Sequence, residues 1–187
     1  MKCYFCISVS SSSKTSFVYE NLLTVALKSA RKNTELELYA LYDGDSQHNF
    51  ARILSSFDVN IVKHKFSACD GLVKTFPPSY WRKISGKESI PDYRKLSGSF
   101  MRLDIPFLEK DDQFVLYTDI DVMFLQSPSL DHLSPPILAA GPEFERNTEK
   151  MKYFNAGVLL MNIPAMQGIC AQILNDINNG IRNRTNL

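Results

Sequence analysis

The chain has 187 residues, long enough for one domain with a sizeable core and marginal for two. Apolar residues make up 44% and charged residues 22%, with 8 glycines and 9 prolines, which excludes collagen-like, disordered and low-complexity classes. Basic and acidic side chains nearly cancel, 21 against 20 for a formal net charge of +1, so no bulk positive field exists to hold a nucleic-acid backbone.

No apolar run approaches the roughly 18 residues of a spanning helix; Phe114 to Tyr117 and Ala156 to Met161 are only strand-length. The chain is therefore not expected to cross a membrane. Met1 to Val9 carries one lysine and an apolar stretch too short and too polar for a signal peptide, so a cytoplasmic start is expected.

In chain order, Cys3 to Val9 is rich in β-branched and aromatic residues and runs into four serines, Ser10 to Ser13, which predicts a strand feeding a loop. Cys3 and Cys6 fall inside that strand and point to opposite faces, so they cannot serve one redox or zinc site. Cys69 and Cys170 stand alone and His48, His64 and His132 show no ligand spacing, so the 4 cysteines read as reduced and structural. From Phe17 to about Lys32, Val18, Leu22, Ala26 and Ala30 recur at four-residue spacing, with Leu23 and Leu27 widening the stripe into an amphipathic helix.

Glu35 to Tyr42 alternates as a strand and ends at the turn signal Asp43-Gly44-Asp45-Ser46; a short helix over Asn49 to Phe57 and a strand over Val59 to Val62 follow. Strand alternating with helix is α/β grammar. Residues 66–94, with Phe76-Pro77-Pro78 and Ile90-Pro91-Asp92, show no sustained period and read as a long loop or lid. Ser97 to Leu108 resumes a helical pattern, and Phe114 to Thr118 is a continuous apolar strand of the kind buried on both faces. Ile137 to Ala140 and Phe154 to Met161 supply two more strands. A closing helix carries Met166, Ile169, Cys170, Ile173, Leu174, Ile177 and Ile181 on one face.

Two D-x-D patterns occur, and a bare one arises readily by chance in a chain with 12 aspartates. Asp43-Gly44-Asp45 lies in a turn, where aspartates cap their own backbone. Asp119-Ile120-Asp121 instead follows directly on the buried strand. In extended geometry both carboxylates would emerge together at its carboxyl end, where open α/β sheets bind ligands. Two anions so placed call for a cation, and their hard oxygens suit Mg²⁺ or Mn²⁺ completed by substrate phosphates. A plain surface turn at the strand end stays open on these residues alone.

Met101-Arg102-Leu103-Asp104-Ile105-Pro106, Phe114 to Val122 and Tyr153 to Asn162 resemble three successive motifs of glycosyltransferase family 8, in the same order, within a likeness running from Cys3 to about residue 181. The resemblance implies an α/β GT-A nucleotide-diphospho-sugar transferase fold with a Rossmann-like mixed sheet flanked by helices. It further implies a UDP-sugar donor, Mn²⁺ or Mg²⁺ held by Asp119 and Asp121, a glycan, lipopolysaccharide or protein acceptor, and hexose transfer with retention of configuration. Arg102 matches the basic donor-contacting residue of the family's helix before the D-x-D, and equally reads as a surface helix charge. Asn155 and Ala156 match the donor-sugar and acceptor edge, with Gly157 admitting close backbone approach; a strand asparagine equally satisfies local backbone groups. Arg102 and Asn155 are the candidate catalytic residues. Ser8, Val9 and Ser10 occupy the place of the family's uracil-binding loop, Tyr19 that of its uridine-contacting tyrosine, and Ile120 lies between the metal-binding aspartates. A serine-rich stretch replaces the family's usual Asp/Asn-containing turn there.

The family continues to an Asp-Gln-Asp-like segment and a His-x-x-Gly-x-x-Lys-Pro-Trp motif whose His completes the metal site, and neither occurs in this sequence. A single, C-terminally short GT-A-like domain over residues 1–187 is the expectation. The rival readings are a non-catalytic nucleotide-sugar binder or scaffold, and a metal-dependent nucleotidyltransferase or phosphohydrolase using the same carboxylates. The second is disfavoured by the match at Tyr153 to Asn162.

Overall fold

The computed structural model describes residues 1–9, 16–80, 92–130, 132–142 and 154–181. In chain order these form β1 (Lys2–Ser8), α1 (Ser16–Asn33), β2 (Glu37–Asp43), α2 (Asn49–Ser56), β3 (Asn60–Lys63) and α3 (Cys69–Thr75). Next come α4 (Tyr93–Phe100), a 3₁₀ turn (Met101–Asp104), α5 (Ile105–Leu108), β4 (Phe114–Thr118), β5 (Leu138–Pro142), β6 (Phe154–Asn162) and α6 (Ile163–Asn178). The strands form a six-stranded sheet in the order β3-β2-β1-β4-β6-β5. β3, β2, β1 and β4 run parallel, and β6 lies antiparallel to both β4 and β5.

The strand order reverses between β1 and β4, and such a switch point opens a crevice at the carboxyl ends of the strands. Each face of the sheet is covered, as a parallel sheet requires. Cys3, Phe5 and Ile7 of β1 pack under α1 and α2 with Leu23, Leu27, Leu38 and Leu54. Tyr4 and the partly buried Cys6 face the other cluster, with Met101, Ile105, Tyr117, Met161 and Cys170. The two thiols therefore lie on opposite faces as expected, and burial pushes Cys3 up to about 12 and Cys170 up to about 11.

Four sequence expectations change. The apolar face of the closing helix loses two members: Ile169 is exposed on α6, and Ile181 is exposed beyond the end of that helix at Asn178. α1 buries Leu23, Ala26, Leu27 and Ala30, but Val18 is 59% exposed because the first turn stands clear of the core that the later turns enter. The stretch read as a loop or lid over 66–94 contains α3 and the start of α4, while residues 81–91 lie outside the described residues. α3 is set by tertiary contact rather than period: Leu72 is fully buried, Thr75 Oγ1 donates to the Ile177 carbonyl at 2.8 Å, and a Cβ on Gly71 would collide with the Ile177–Asn178 backbone of α6. The helical pattern over Ser97 to Leu108 resolves into α4, the 3₁₀ turn and α5, with Pro106 in the first turn of α5.

At the amino end of β1, Lys2 Nζ donates to Glu109 Oε1 (2.9 Å) and Asp111 Oδ2 (2.8 Å), and Tyr4 donates to Glu109 Oε2 at 2.6 Å. This buried ion pair tethers the sheet to the segment entering β4, at the pole opposite the crevice. No described helix is long and apolar enough to cross a membrane.

Candidate functional site

Parallel pairing brings the carboxyl ends of β1, β2 and β4 to one edge, and antiparallel pairing of Thr118 with Val158 delivers the amino half of β6 to it. Asp119 N–H donates to the Gly157 carbonyl at 2.8 Å, and Val122 N–H returns to the Asp119 carbonyl at 3.4 Å. The D-x-D is thus a turn at the strand end rather than a continuation of extended chain. Both carboxylates nevertheless line one cavity of about 460 Å³, with Val122, Gly141, Asn155, Gly157 and Val158. The strand end is a turn, and that turn still leaves both aspartates lining the same cavity, while Ile120 packs against the apolar cluster on the α1 face.

Asp119 sits in a polar cluster assembled from all three sequence motifs. The Tyr117 hydroxyl donates to Asp119 Oδ1, and an Arg102 guanidinium nitrogen lies 3.9 Å from the same oxygen. Arg102 is itself pinned: Nε donates to the Ser99 carbonyl at 2.7 Å, Nη1 donates to the Ala156 carbonyl, and the guanidinium lies 4.6 Å from the centroid of the Tyr117 ring. With its side chain only 17% exposed, Arg102 is not a free surface helix charge, and it sits on the 3₁₀ turn rather than on an α-helix. Burial pushes the Tyr117 phenol well above its ordinary pKa, so it remains a proton donor.

Asn155 Oδ1 accepts from Gly157 N–H at 2.8 Å, so this asparagine does satisfy local backbone while also lining the cavity. A Cβ on Gly157 would stand 2.9 Å from Asn155 Oδ1 and 3.1 Å from Asp119 Oδ2. Only glycine lets the two side chains approach the strand this closely.

Ser8 and Val9 lie at the end of β1, with Ser8 Oγ donating to Asp43 Oδ2 (3.2 Å) and Val9 N–H to the Asp43 carbonyl (2.9 Å). Ser10 lies outside the described residues, as does Tyr153. Tyr19 is 44% exposed on α1 and is not part of the cavity lining. Asp45 forms the expected turn, its Oδ1 accepting from Gln47 N–H at 2.8 Å. His132 is exposed in a turn.

Sequence reasoning missed three contributors. Tyr117 read as core, Asp43 read as a turn residue, and Asp104 stood within the Met101 to Pro106 motif without a role, although it is buried and bonded by His64 Nε2 (2.7 Å), Ser67 N–H (2.9 Å) and Ser67 Oγ (2.5 Å). Asp104 ties the turn carrying Arg102 to the segment after β3; its place two residues beyond Arg102 was the available signal. Among the described residues, no three His, Cys, Asp or Glu side chains come together as a metal site.

No protein-family model matches the sequence, and no curated protein does. Solved structures do match. Mouse xyloside xylosyltransferase 1 in its apo form superposes over 92% of this chain and 70% of its own, with TM-score 0.56 at 14% identity. The galactosyltransferase LgtC, in complex with donor and acceptor sugar analogues, covers 96% of this chain and 70% of its own, with TM-score 0.56 at 23% identity. The chain has the GT-A fold. The glycosyltransferase GlyE of Streptococcus pneumoniae TIGR4 matches 100% of the chain with TM-score 0.56 at 19% identity, and there the chain spans 39% of the longer protein. At these identities the likeness is one of fold, and its mixed sheet with a crevice at the carboxyl ends is the one the sequence led us to expect.

Proposed function

We propose that the chain is the donor-binding domain of a family 8-like glycosyltransferase, moving a hexose from a UDP-sugar to a carbohydrate, glycolipid or protein acceptor with retention of configuration. The observation that carries this reading is the convergence of Asp119, Asp121 and Asn155 on one cavity at the carboxyl ends of a GT-A sheet. LgtC, described with donor and acceptor sugar analogues, supports a nucleotide-sugar donor.

The residues present fit a divalent cation. Two carboxylates offer hard oxygens while leaving positions for phosphate and water, and the missing Cβ of Gly157 leaves room at Asp119 Oδ2. Bound there, Mn²⁺ or Mg²⁺ supplies Lewis-acid stabilisation of the charge on departing UDP. Arg102, held by two carbonyls, adds a fixed positive charge beside Asp119 that offsets the anionic site. Asn155 presents its amide at the cavity wall to orient the sugar, and Ala156 holds Arg102 through its carbonyl. Ser8 and Val9, at the carboxyl end of β1, would take the nucleoside side of the site, the role the family resemblance implies for that loop.

A second reading, binding without turnover, is favoured by one observation: no third metal-ligating side chain joins the two aspartates among the described residues. Thermal shift with UDP tests the shared part of both readings. UDP is expected to raise the melting temperature only with Mn²⁺ present, and Asp119→Ala and Asp121→Ala to abolish the shift. A shift indifferent to metal and to both substitutions would sink the donor-site reading. UDP release from a panel of UDP-sugars then separates enzyme from binder.

A further inference from the structure

Resting on that donor-site reading, we propose that Tyr117 is a positioning residue for the cation site, its hydroxyl holding the Asp119 carboxylate so that Oδ2 faces the cavity. Tyr117 lies in the interior of β4 and is 1% exposed. Filling that volume needs only a phenyl ring; the added hydroxyl must find a partner, since a buried unpaired hydroxyl costs free energy. Its partner is the carboxylate two residues further along the same face of the chain.

Among the described residues, the two side chains that reach the Asp119 carboxylate converge on one oxygen. The Tyr117 hydroxyl donates to Oδ1, and Arg102 approaches Oδ1 at 3.9 Å. Arg102 cannot easily swing to chelate both oxygens, because the Ser99 and Ala156 carbonyls hold it and the Tyr117 ring lies against its guanidinium. Among the described residues, no hydrogen bond engages Oδ2, which lies on the Gly157 side of the cavity. An aspartate has two side-chain torsions, and a neighbouring Asp121 repels it. Tethering Oδ1 therefore removes freedom that cation binding would otherwise have to remove. Groups that orient a metal ligand typically change affinity by about 10- to 100-fold when deleted.

The test is Tyr117→Phe, which keeps the ring and its contact with Arg102. Mn²⁺ affinity is read by titrating the paramagnetic resonance signal of free Mn²⁺ with UDP present, beside the melting temperature of the metal-free protein. The expected result is an affinity lower by about 10- to 100-fold with a melting temperature close to wild type. Tyr117→Phe that binds Mn²⁺ within twofold of wild type, while Asp119→Ala loses it, overturns this proposal and leaves the donor site standing. Wild-type protein that takes up no Mn²⁺ with UDP overturns both.

Discussion

Gly157 occupies the point where Asp119 and Asn155 come closest to the β6 backbone, and its side-chain-free surface is a chemical requirement of the cluster. Gly157→Ala would place a Cβ 2.9 Å from Asn155 Oδ1 and 3.1 Å from Asp119 Oδ2, so both side chains must give way. We expect UDP with Mn²⁺ to bind about tenfold more weakly, about 1.4 kcal/mol, measured by calorimetry; unchanged affinity would show that the carboxylate moves at no cost. Asp119 and Asp121 were legible in the sequence because they follow a strand too apolar to lie at the surface. Tyr117 was not, because an aromatic residue in such a strand reads as core, and only the fold shows where its hydroxyl points.

At the scale of elements, α3 and the 3₁₀ turn illustrate what periodicity misses. α3 has seven residues, too few to establish a stripe, and it exists because Gly71 and Thr75 dock it on α6. Gly71→Ala is expected to destabilise the fold by about 1 to 3 kcal/mol through forced separation of the two helices, read from urea unfolding. A loss below about 0.5 kcal/mol would mean that the α3–α6 contact adjusts freely. The 3₁₀ turn aims Arg102 at Ala156 and Asp119, and Asp104 holds that turn through His64 and Ser67. Long, strongly periodic α1 was readable nearly to its ends, but not which of its turns would stand clear of the sheet.

Across the whole molecule, the Lys2–Glu109 ion pair and the cavity of the proposed donor site lie at opposite ends of the parallel strands. Burial alone, the largest single influence, would raise the Glu109 pKa. Hydrogen bonds from Tyr4, from Lys2 and from the Asp111 and Asp112 backbone outweigh it and bring the group down to about 2. A carboxylate with a folded-state pKa below its usual 4.5 contributes stability that is fully present above pH 4.5 and is lost as pH falls towards 2. The shift corresponds to about 3 kcal/mol at neutral pH. Glu109→Gln is therefore expected to lose about that much stability in urea at pH 7, with the gap to wild type narrowing at pH 3. Its affinity for UDP with Mn²⁺ should stay close to wild type, because the site lies at the far ends of the strands. A Glu109→Gln protein with an unchanged urea midpoint at pH 7 would refute the assignment of this stability to the ion pair.

The sequence by itself determined the α/β alternation, every strand of the sheet to within a residue or two, and the pair of aspartates at the end of the central apolar strand. Those follow from local chemistry: side-chain periodicity, turn residues, and the cost of exposing Phe114 to Thr118 to water. Only the tertiary structure decided that β6 runs against β4, that Gly157 and Asn155 therefore face Asp119, and that Arg102 and Tyr117 meet beside it. These contacts join residues tens of positions apart, and which of them form is set by how the packed sheet and helices close on one another, a property no single segment carries.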